Sequence, residues 1–217
     1  MMFLSRMNDG PIRHYRRSIR LQGYDYSQPG AYFVTVCVQE KECLFGEILG
    51  EEIQLNDAGR MVERWWSELA NKFAGVETDE SIVMPNHFHG ILGIVGAALC
   101  GRPSGDEDSF AAGGHPHRGA PTEGIEHLRK EAPTLGDIVD WFKTMVTNGY
   151  IRGVKGNGWT PFPRRLWQRG YYEHIVRSED ELNKIREYIA LNPARWAWDA
   201  QNPLATRHSA PDAPWQI

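Results

Sequence analysis

From Ala31 to Gln39 the chain reads AYFVTVCVQ, alternating and rich in aromatic and β-branched side chains, which predicts a strand. Leu44 to Leu55 predicts a second strand region, with Gly46 and Gly50 placed for a turn or bulge. Asn56 or Asp57 then caps a helix in which Val62, Trp66, Leu69 and Phe73 recur at helical spacing. Val76 to Met84 and His87 to Val95 predict two strands parted by Pro85-Asn86. Gly96 to Glu131, rich in Gly, Pro and charge, predicts a long insertion at about 96–132, and such loops are either functional or disordered. Helical spacing resumes with Leu135, Ile138, Phe142, Met145 and Val146, behind a Thr134 cap with Asp137 three residues on. Arg164 to Gln168 and Tyr171 to Val176 predict extended segments around Gly170. A last helix opens at Ser178 with Glu181 at capping-box spacing, turns Leu182, Ile185 and Ile189 inward, and stops at Pro193. Strands outnumber helices and no βαβ alternation recurs. The pattern therefore predicts an α+β fold, mainly antiparallel, with its helices on one face of the sheet.

Composition bounds this picture. A chain of 217 residues with 41% hydrophobic content and eight tryptophans suits one globular domain, at 31–198, with an arm at 1–30 and a tail at 199–217. The longest apolar run, Ile91 to Cys100, is too short to cross a membrane and is broken by Gly93 and Gly96. The start lacks the sustained apolar core of a signal peptide. Cys37, Cys43 and Cys100 form no Cys-x-x-Cys pair, which argues against a zinc ribbon and for reduced thiols in a cytoplasm.

The net charge of −4 conceals a segregation. Arg6, Arg13, Arg16, Arg17 and Arg20 oppose only Asp9 in the first twenty residues, and Arg152, Lys155, Arg164, Arg165, Arg169 and Arg177 oppose only Glu173 over 152–177. Residues 40–80 carry eleven acids against four bases. A polyanion responds to the local field, so basic stretches on an acidic chain can bind phosphate; they can equally be solvated faces.

The sharpest chemical feature is Met84-Pro85-Asn86-His87-Phe88-His89. On a strand, period two puts His87 and His89 on one face and Phe88 on the other. Two imidazoles so placed can share a metal ion, or can simply cap a strand end and hydrogen-bond locally. His115-Pro116-His117 has the same spacing, but sits in the insertion with no strand to hold it. Tyr188 and Asn192 lie four residues apart, on one helix face beside the Leu182–Ile185–Ile189 stripe. Asn192 offers a hard ion an amide oxygen, although a residue before proline is biased away from helical angles. Tyr188 can serve chemistry or merely pack its ring at the stripe edge.

Arg16-Arg17-Ser18-Ile19-Arg20-Leu21, Gly23-Tyr24-Asp25-Tyr26 and Pro29 to Thr35 resemble the opening of the REP-associated tyrosine transposases. These are single-tyrosine members of the HUH (His-hydrophobic-His) nuclease group. Met84 to His89 is similar to their metal motif, and Leu166 to His174 to a further stretch. Tyr188-Ile189 through Asn192-Pro193 and Trp196 is similar to the segment with the catalytic tyrosine. The resemblance runs from about Arg16 to Trp198 apart from the insertion, and the four motifs keep their order.

It implies a ferredoxin-like α+β fold and a metal-dependent strand transferase acting on single-stranded DNA beside a hairpin. Tyr188 corresponds to the nucleophile; His87, His89 and Asn192 correspond to ligands of Mg²⁺ or Mn²⁺. A 5′-phosphotyrosine would conserve the phosphodiester energy, in keeping with the absence of a phosphate-binding P-loop. Arg16, Arg17, Arg20, Arg164, Arg165 and Arg169 are candidate DNA contacts, with Trp167 and Tyr171 as platforms for unpaired bases. Such a protein would be cytoplasmic and join the nucleoid when bound to DNA, as monomer or homodimer, with no membrane partner. The alternatives are a hydrolytic nuclease that tolerates Tyr188→Phe, and a hairpin-binding protein that needs neither His87 nor Tyr188.

Overall fold

A computed structural model describes residues 21, 23–95 and 133–205. Arg16, Arg17 and Arg20, the insertion at 96–132 with His115 and His117, and the tail at 206–217 lie outside the described residues. The elements run β1 (Gly30–Cys37), β2 (Gly46–Leu49), β3 (Glu52–Leu55), α1 (Asp57–Lys72), β4 (Val76–Val83), β5 (His87–Ile94), α2 (Leu135–Asn157), β6 (Tyr172–Val176) and α3 (Glu179–Ala190). A 3₁₀ turn, Pro193–Trp198, follows α3. Four strands form one antiparallel sheet in the order β4-β5-β1-β6, and β2 with β3 makes a separate hairpin turning at Gly50. β1-α1-β4 and β5-α2-β6 interleave as two split halves, which is the ferredoxin-like arrangement.

Local signals explain the helices. The Asn56 side chain accepts the Gly59 amide at 2.9 Å and caps α1, whose Val62, Trp66 and Leu69 are buried. Thr134 and Asp137 form a reciprocal capping box on α2, and Tyr26 O accepts the Leu135 amide, tying the helix start to the aromatic group of Tyr24, Tyr26 and Tyr32. Ser178 caps α3, but Glu181 turns its carboxylate back to the Arg177 amide and to His174 rather than closing a box on Ser178.

The helices cover both faces of the sheet, not one. Against α1 and α2, β1 and β5 present Tyr32, Val34, Val36, Phe88 and Leu92 in one continuous core. On the other face, Phe33 and Ile91 pack with Ile185 and Ile189 of α3. The last helix therefore lies across the sheet from its fellows, a placement its amphipathic stripe alone could not reveal, because a stripe records that a face is buried and not against which partner. Gly90 is required by the close approach of α1: a Cβ there would stand 2.5 Å from Trp66 Cζ2 and 2.8 Å from Phe88 Cε1.

Candidate active site

Pro85-Asn86 makes the turn between β4 and β5, and the main chain around it fixes the turn. Phe45 N donates to Pro85 O at 3.0 Å, Val38 N to Asn86 O at 2.8 Å, and Met84 N to His87 O at 2.8 Å. His87 then opens β5 opposite Cys37, and His89 stands opposite Thr35. Phe88 points the other way, into Trp66 and Phe142. The alternation expected of a His-hydrophobic-His strand is realised: both imidazoles lie on the α3 face.

α3 brings Tyr188 to the same place. Its ring meets His89 edge-on with centroids 5.4 Å apart and Phe33 at 6.1 Å, while Phe33 stacks on His89 at 5.5 Å. Despite Pro193, Asn192 keeps helical angles (φ −60°, ψ −42°) and so remains one turn beyond Tyr188. It stands beside both His87 and Tyr188. His87, His89 and Asn192 are 1%, 4% and 2% exposed, an unusual concentration of buried polar groups beside an apolar cluster.

Hydrogen bonds define the protons. Asn86 Nδ2 donates to Lys41 O and Gln201 O, both at 2.8 Å, leaving Asn86 Oδ1 to accept from His87 Nδ1–H at 3.0 Å. Neutral His87 therefore carries its lone pair on Nε2. That atom is 3.0 Å from His89 Nε2 and 3.6 Å from Asp199 Oδ2. His89 Nδ1 is 2.8 Å from Thr35 Oγ1, a hydroxyl able to give or take the proton. With that His87 tautomer, His89 Nε2–H donates to His87 Nε2 and Thr35 Oγ1 donates to His89 Nδ1. His87 and His89 could each offer an Nε2 lone pair to a cation if Thr35 instead accepted from His89 Nδ1. This is the outer-shell orientation typical of metal-binding imidazoles.

Burial pushes the His87 imidazole down to about 4, with Asp199 and Asn192 pulling the other way. Burial, then His87 itself, holds His89 well below the usual imidazole range. Both rings are thus neutral at neutral pH. Asn192 Oδ1 is buried and has no hydrogen-bond partner among the described residues. Two imidazole nitrogens 3.0 Å apart have the spacing of adjacent ligands that each lie about 2.1 Å from one ion. The converging acceptors therefore fit a divalent cation. No group of three or more His, Cys, Asp or Glu side chains among the described residues is set for a metal; the donors here are two imidazoles and a carboxamide.

Burial raises the Tyr188 phenol above its ordinary value, and Asp199 adds to this; the Asn192 amide and Arg195 oppose them. Tyr172 lies in the same surroundings, opposite Thr35 on β6.

Arg164, Arg165 and Arg169 are exposed and line a cleft of about 510 Å³ with Gln39, Glu40 and Gln168. The expected extended run at Arg164–Gln168 is reduced to one bridge, Val38 to Trp167, and Arg164 adopts φ +61°. Between that bridge and the Thr35–Tyr172 pair, Val36 and Cys37 face the longer segment Gln168 to Tyr171, so the latter bulges. Lys143 Nζ pins the bulge, donating to the carbonyls of Gln168 at 2.9 Å, Gly170 at 3.2 Å and Arg169 at 3.5 Å. Trp167 is no platform for bases: it is buried against Phe45 and Phe142. Tyr171 packs partly buried at the edge of the same core.

Thr35, Asn86 and Asp199 complete the site and had not been singled out in the sequence. Asn86 lies inside the histidine motif and its position was a signal. Thr35 and Asp199 have none, since strand register and the fold of the chain after α3 bring them in. No helix among the described residues is long and apolar enough to cross a membrane.

No family model matches the chain. An uncharacterized protein of Haemophilus influenzae is 38% identical over 188 residues, covering 86% of this chain and 92% of that one, and the two belong to one family. Among solved structures, a REP-associated tyrosine transposase bound to a REP hairpin is similar with a TM-score of 0.48 at 16% identity, over 83% of this chain and 75% of that one. A candidate transposase of Deinococcus radiodurans R1 gives 0.38 at 16% identity, over 79% and 95%.

Proposed function

We propose that this chain cuts and rejoins single-stranded DNA beside hairpins, with Tyr188 as nucleophile and Mg²⁺ or Mn²⁺ held by His87, His89 and Asn192. The observation that supports it most is the meeting of a tyrosine, two neutral imidazoles and an unsatisfied carboxamide oxygen at one buried place. A divalent ion bound there supplies Lewis-acid polarisation of a scissile phosphate. Tyr188 Oη attacks the phosphorus, the bond to the 3′-oxygen breaks, and that oxygen takes a proton as the phenol loses its own. The products are a 5′-phosphotyrosine and a free 3′-hydroxyl, and the reverse attack by a 3′-hydroxyl rejoins DNA without ATP.

Burial disfavours the phenolate, so the Asn192 amide and Arg195 contribute by holding charge on Oη as it develops. Asn86 and Thr35 orient the imidazoles, and Phe33 fixes His89 against Tyr188. The pinned bulge bearing Arg169 starts beside Cys37, the residue paired with His87, so its cleft suits the phosphates flanking the cut.

The test is a denaturing gel of the protein with labelled hairpin-flanked single strands and Mn²⁺. Wild type is expected to give a covalent protein–DNA band and Tyr188→Phe none. An adduct from Tyr188→Phe would move the nucleophile to Tyr172 or Tyr171. Cleavage by Tyr188→Phe without any adduct would instead make the protein a hydrolytic nuclease.

A further inference from the structure

We infer that a second cleft, between α1 and α2, binds one unpaired nucleotide, its base against two tryptophans and its phosphate on Arg64 and Arg152. The cleft measures about 550 Å³, within the roughly 300–1,000 Å³ usual for small-ligand sites. α1 and α2 cover the sheet face opposite α3, so this site is separate from Tyr188 and the histidines and needs none of them. Its walls are built into α2. Glycine weakens a helix interior, yet α2 carries Gly149 and Gly153 one turn apart, both lining the cleft. A Cβ at Gly153 would fall inside the Trp159 ring, and one at Gly149 would stand 2.9 Å from Met61 Sδ and 3.2 Å from Trp65 Nε1. The two glycines therefore admit Trp159 and Trp65 against the helix backbone. Gly158, at φ +69°, turns the chain after α2 so that Trp159 comes back over Gly153. Each indole is braced edge-on by an aromatic neighbour, Trp65 by Trp141 at 5.8 Å and Trp159 by Tyr150 at 5.3 Å.

Half-buried and braced, these indoles hold flat apolar surface in place, which suits a base ring, since every base has a π-face to stack. The groups around them are polar and unengaged. Arg64 and Arg152 are exposed, and neither makes a hydrogen bond or ion pair among the described residues, although Glu68 lines the same cleft one turn along α1 from Arg64. The Trp65 Nε1–H and the Asn157 carboxamide likewise have no hydrogen-bond partner among the described residues. An arginine fork matches a phosphate bidentately. Glu68 opposes a second phosphate and can accept an exocyclic amino group of a base. Two cations, two flat rings and one acid in a single cleft thus fit a base with one phosphate better than an apolar ligand or a bare anion. Such a unit comes from an unpaired position of a DNA strand or from a free nucleotide, and only the first source depends on this chain acting on DNA.

The experiment records the indole N–H resonances of the full ¹⁵N-labelled chain during titration with deoxyadenosine 5′-monophosphate, deoxyribose 5-phosphate or a short deoxyadenosine strand. Trp65→Phe and Trp159→Phe assign the two signals, and Trp66 and Trp167, buried in the core, serve as internal standards. The mononucleotide should shift the Trp65 and Trp159 signals saturably, and deoxyribose 5-phosphate, lacking a base, should bind at least about 5-fold more weakly. Arg64→Gln combined with Arg152→Gln should keep the wild-type melting temperature, both side chains being exposed and unpaired, and should weaken the mononucleotide at least about 10-fold. Competition by the strand assigns the site to DNA, and binding of the mononucleotide without such competition assigns it to a free nucleotide. The inference is overturned if neither nucleotide nor strand shifts these signals, if deoxyribose 5-phosphate binds as tightly as the nucleotide, or if the double arginine variant binds like wild type. None of these results touches the covalent-adduct test of Tyr188, which reads the opposite face.

Discussion

Toward α1 and α2, β1 and β5 present Tyr32, Val34, Val36, Phe88 and Leu92, all buried in a single apolar core. One residue along each strand, toward α3, they present Phe33, Thr35, Cys37, His87, His89 and Ile91, where the apolar cluster is small and half of the side chains are polar. The same backbone thus carries an apolar core on one side and the proposed chemistry on the other. The first face is dense enough to hold the strands while the second keeps polar groups buried and incompletely satisfied, a combination that costs stability. Damage to the two faces should therefore register in different measurements.

Tyr188→Phe tests that division most severely. It should lower adduct formation by about 10⁴-fold or more while leaving the melting temperature near that of wild type. Phe88→Ala is the converse. It should cost about 3–5 kcal/mol in urea unfolding, with adduct yield per folded molecule nearly retained once the variant is scored below its transition. A large loss of chemistry in the folded fraction would show that the faces are not separable at Phe88.

Thr35→Val keeps the shape of the side chain and removes the hydroxyl on His89. Calorimetric titration should show Mn²⁺ affinity lower by about 10–100-fold, and an unchanged value would break the tautomer argument. The smallest effect belongs to the rim of the α3 face. Arg186 of α3 grips Asp79 of β4 at 2.5 Å, and that guanidinium holds the Asp79 carboxyl below its ordinary 3.8. A depressed carboxyl contributes stability above its unfolded value and loses it as pH falls through the folded one. Because the pair is about one-third exposed, Asp79→Asn should cost only about 0.2–1 kcal/mol at pH 7, and the difference from wild type should shrink as pH falls below the carboxyl's ordinary 3.8 in thermal melts.

Much of this was legible along the chain wherever the governing interaction is local. The caps of α1 and α2, the β1 alternation and the opposite facing of Phe88 and His89 follow from spacing over a few residues. The α3 face was less legible. His89 meets Thr35 across 54 positions because β1 and β5 share one register, and Asp199 returns to a turn more than a hundred positions earlier. Trp167 has the composition of a base platform, yet lies inside because the bulge after it, pinned by Lys143, sends the exposed side chains elsewhere. Asn192 is the instructive exception: the proline rule argues against helical angles there, and tertiary packing overrode it.

Gly90 has a consequence for how such a chain can change over generations. With Trp66 and Phe88 both lying where a Cβ would stand, positions 66, 88 and 90 form one mutational unit: a side chain at 90 demands room from both rings. Gly90 directly follows His89, so a side chain added there alone would push on the strand that carries that imidazole. Inheritance at these three sites should accordingly proceed in coupled steps or not at all.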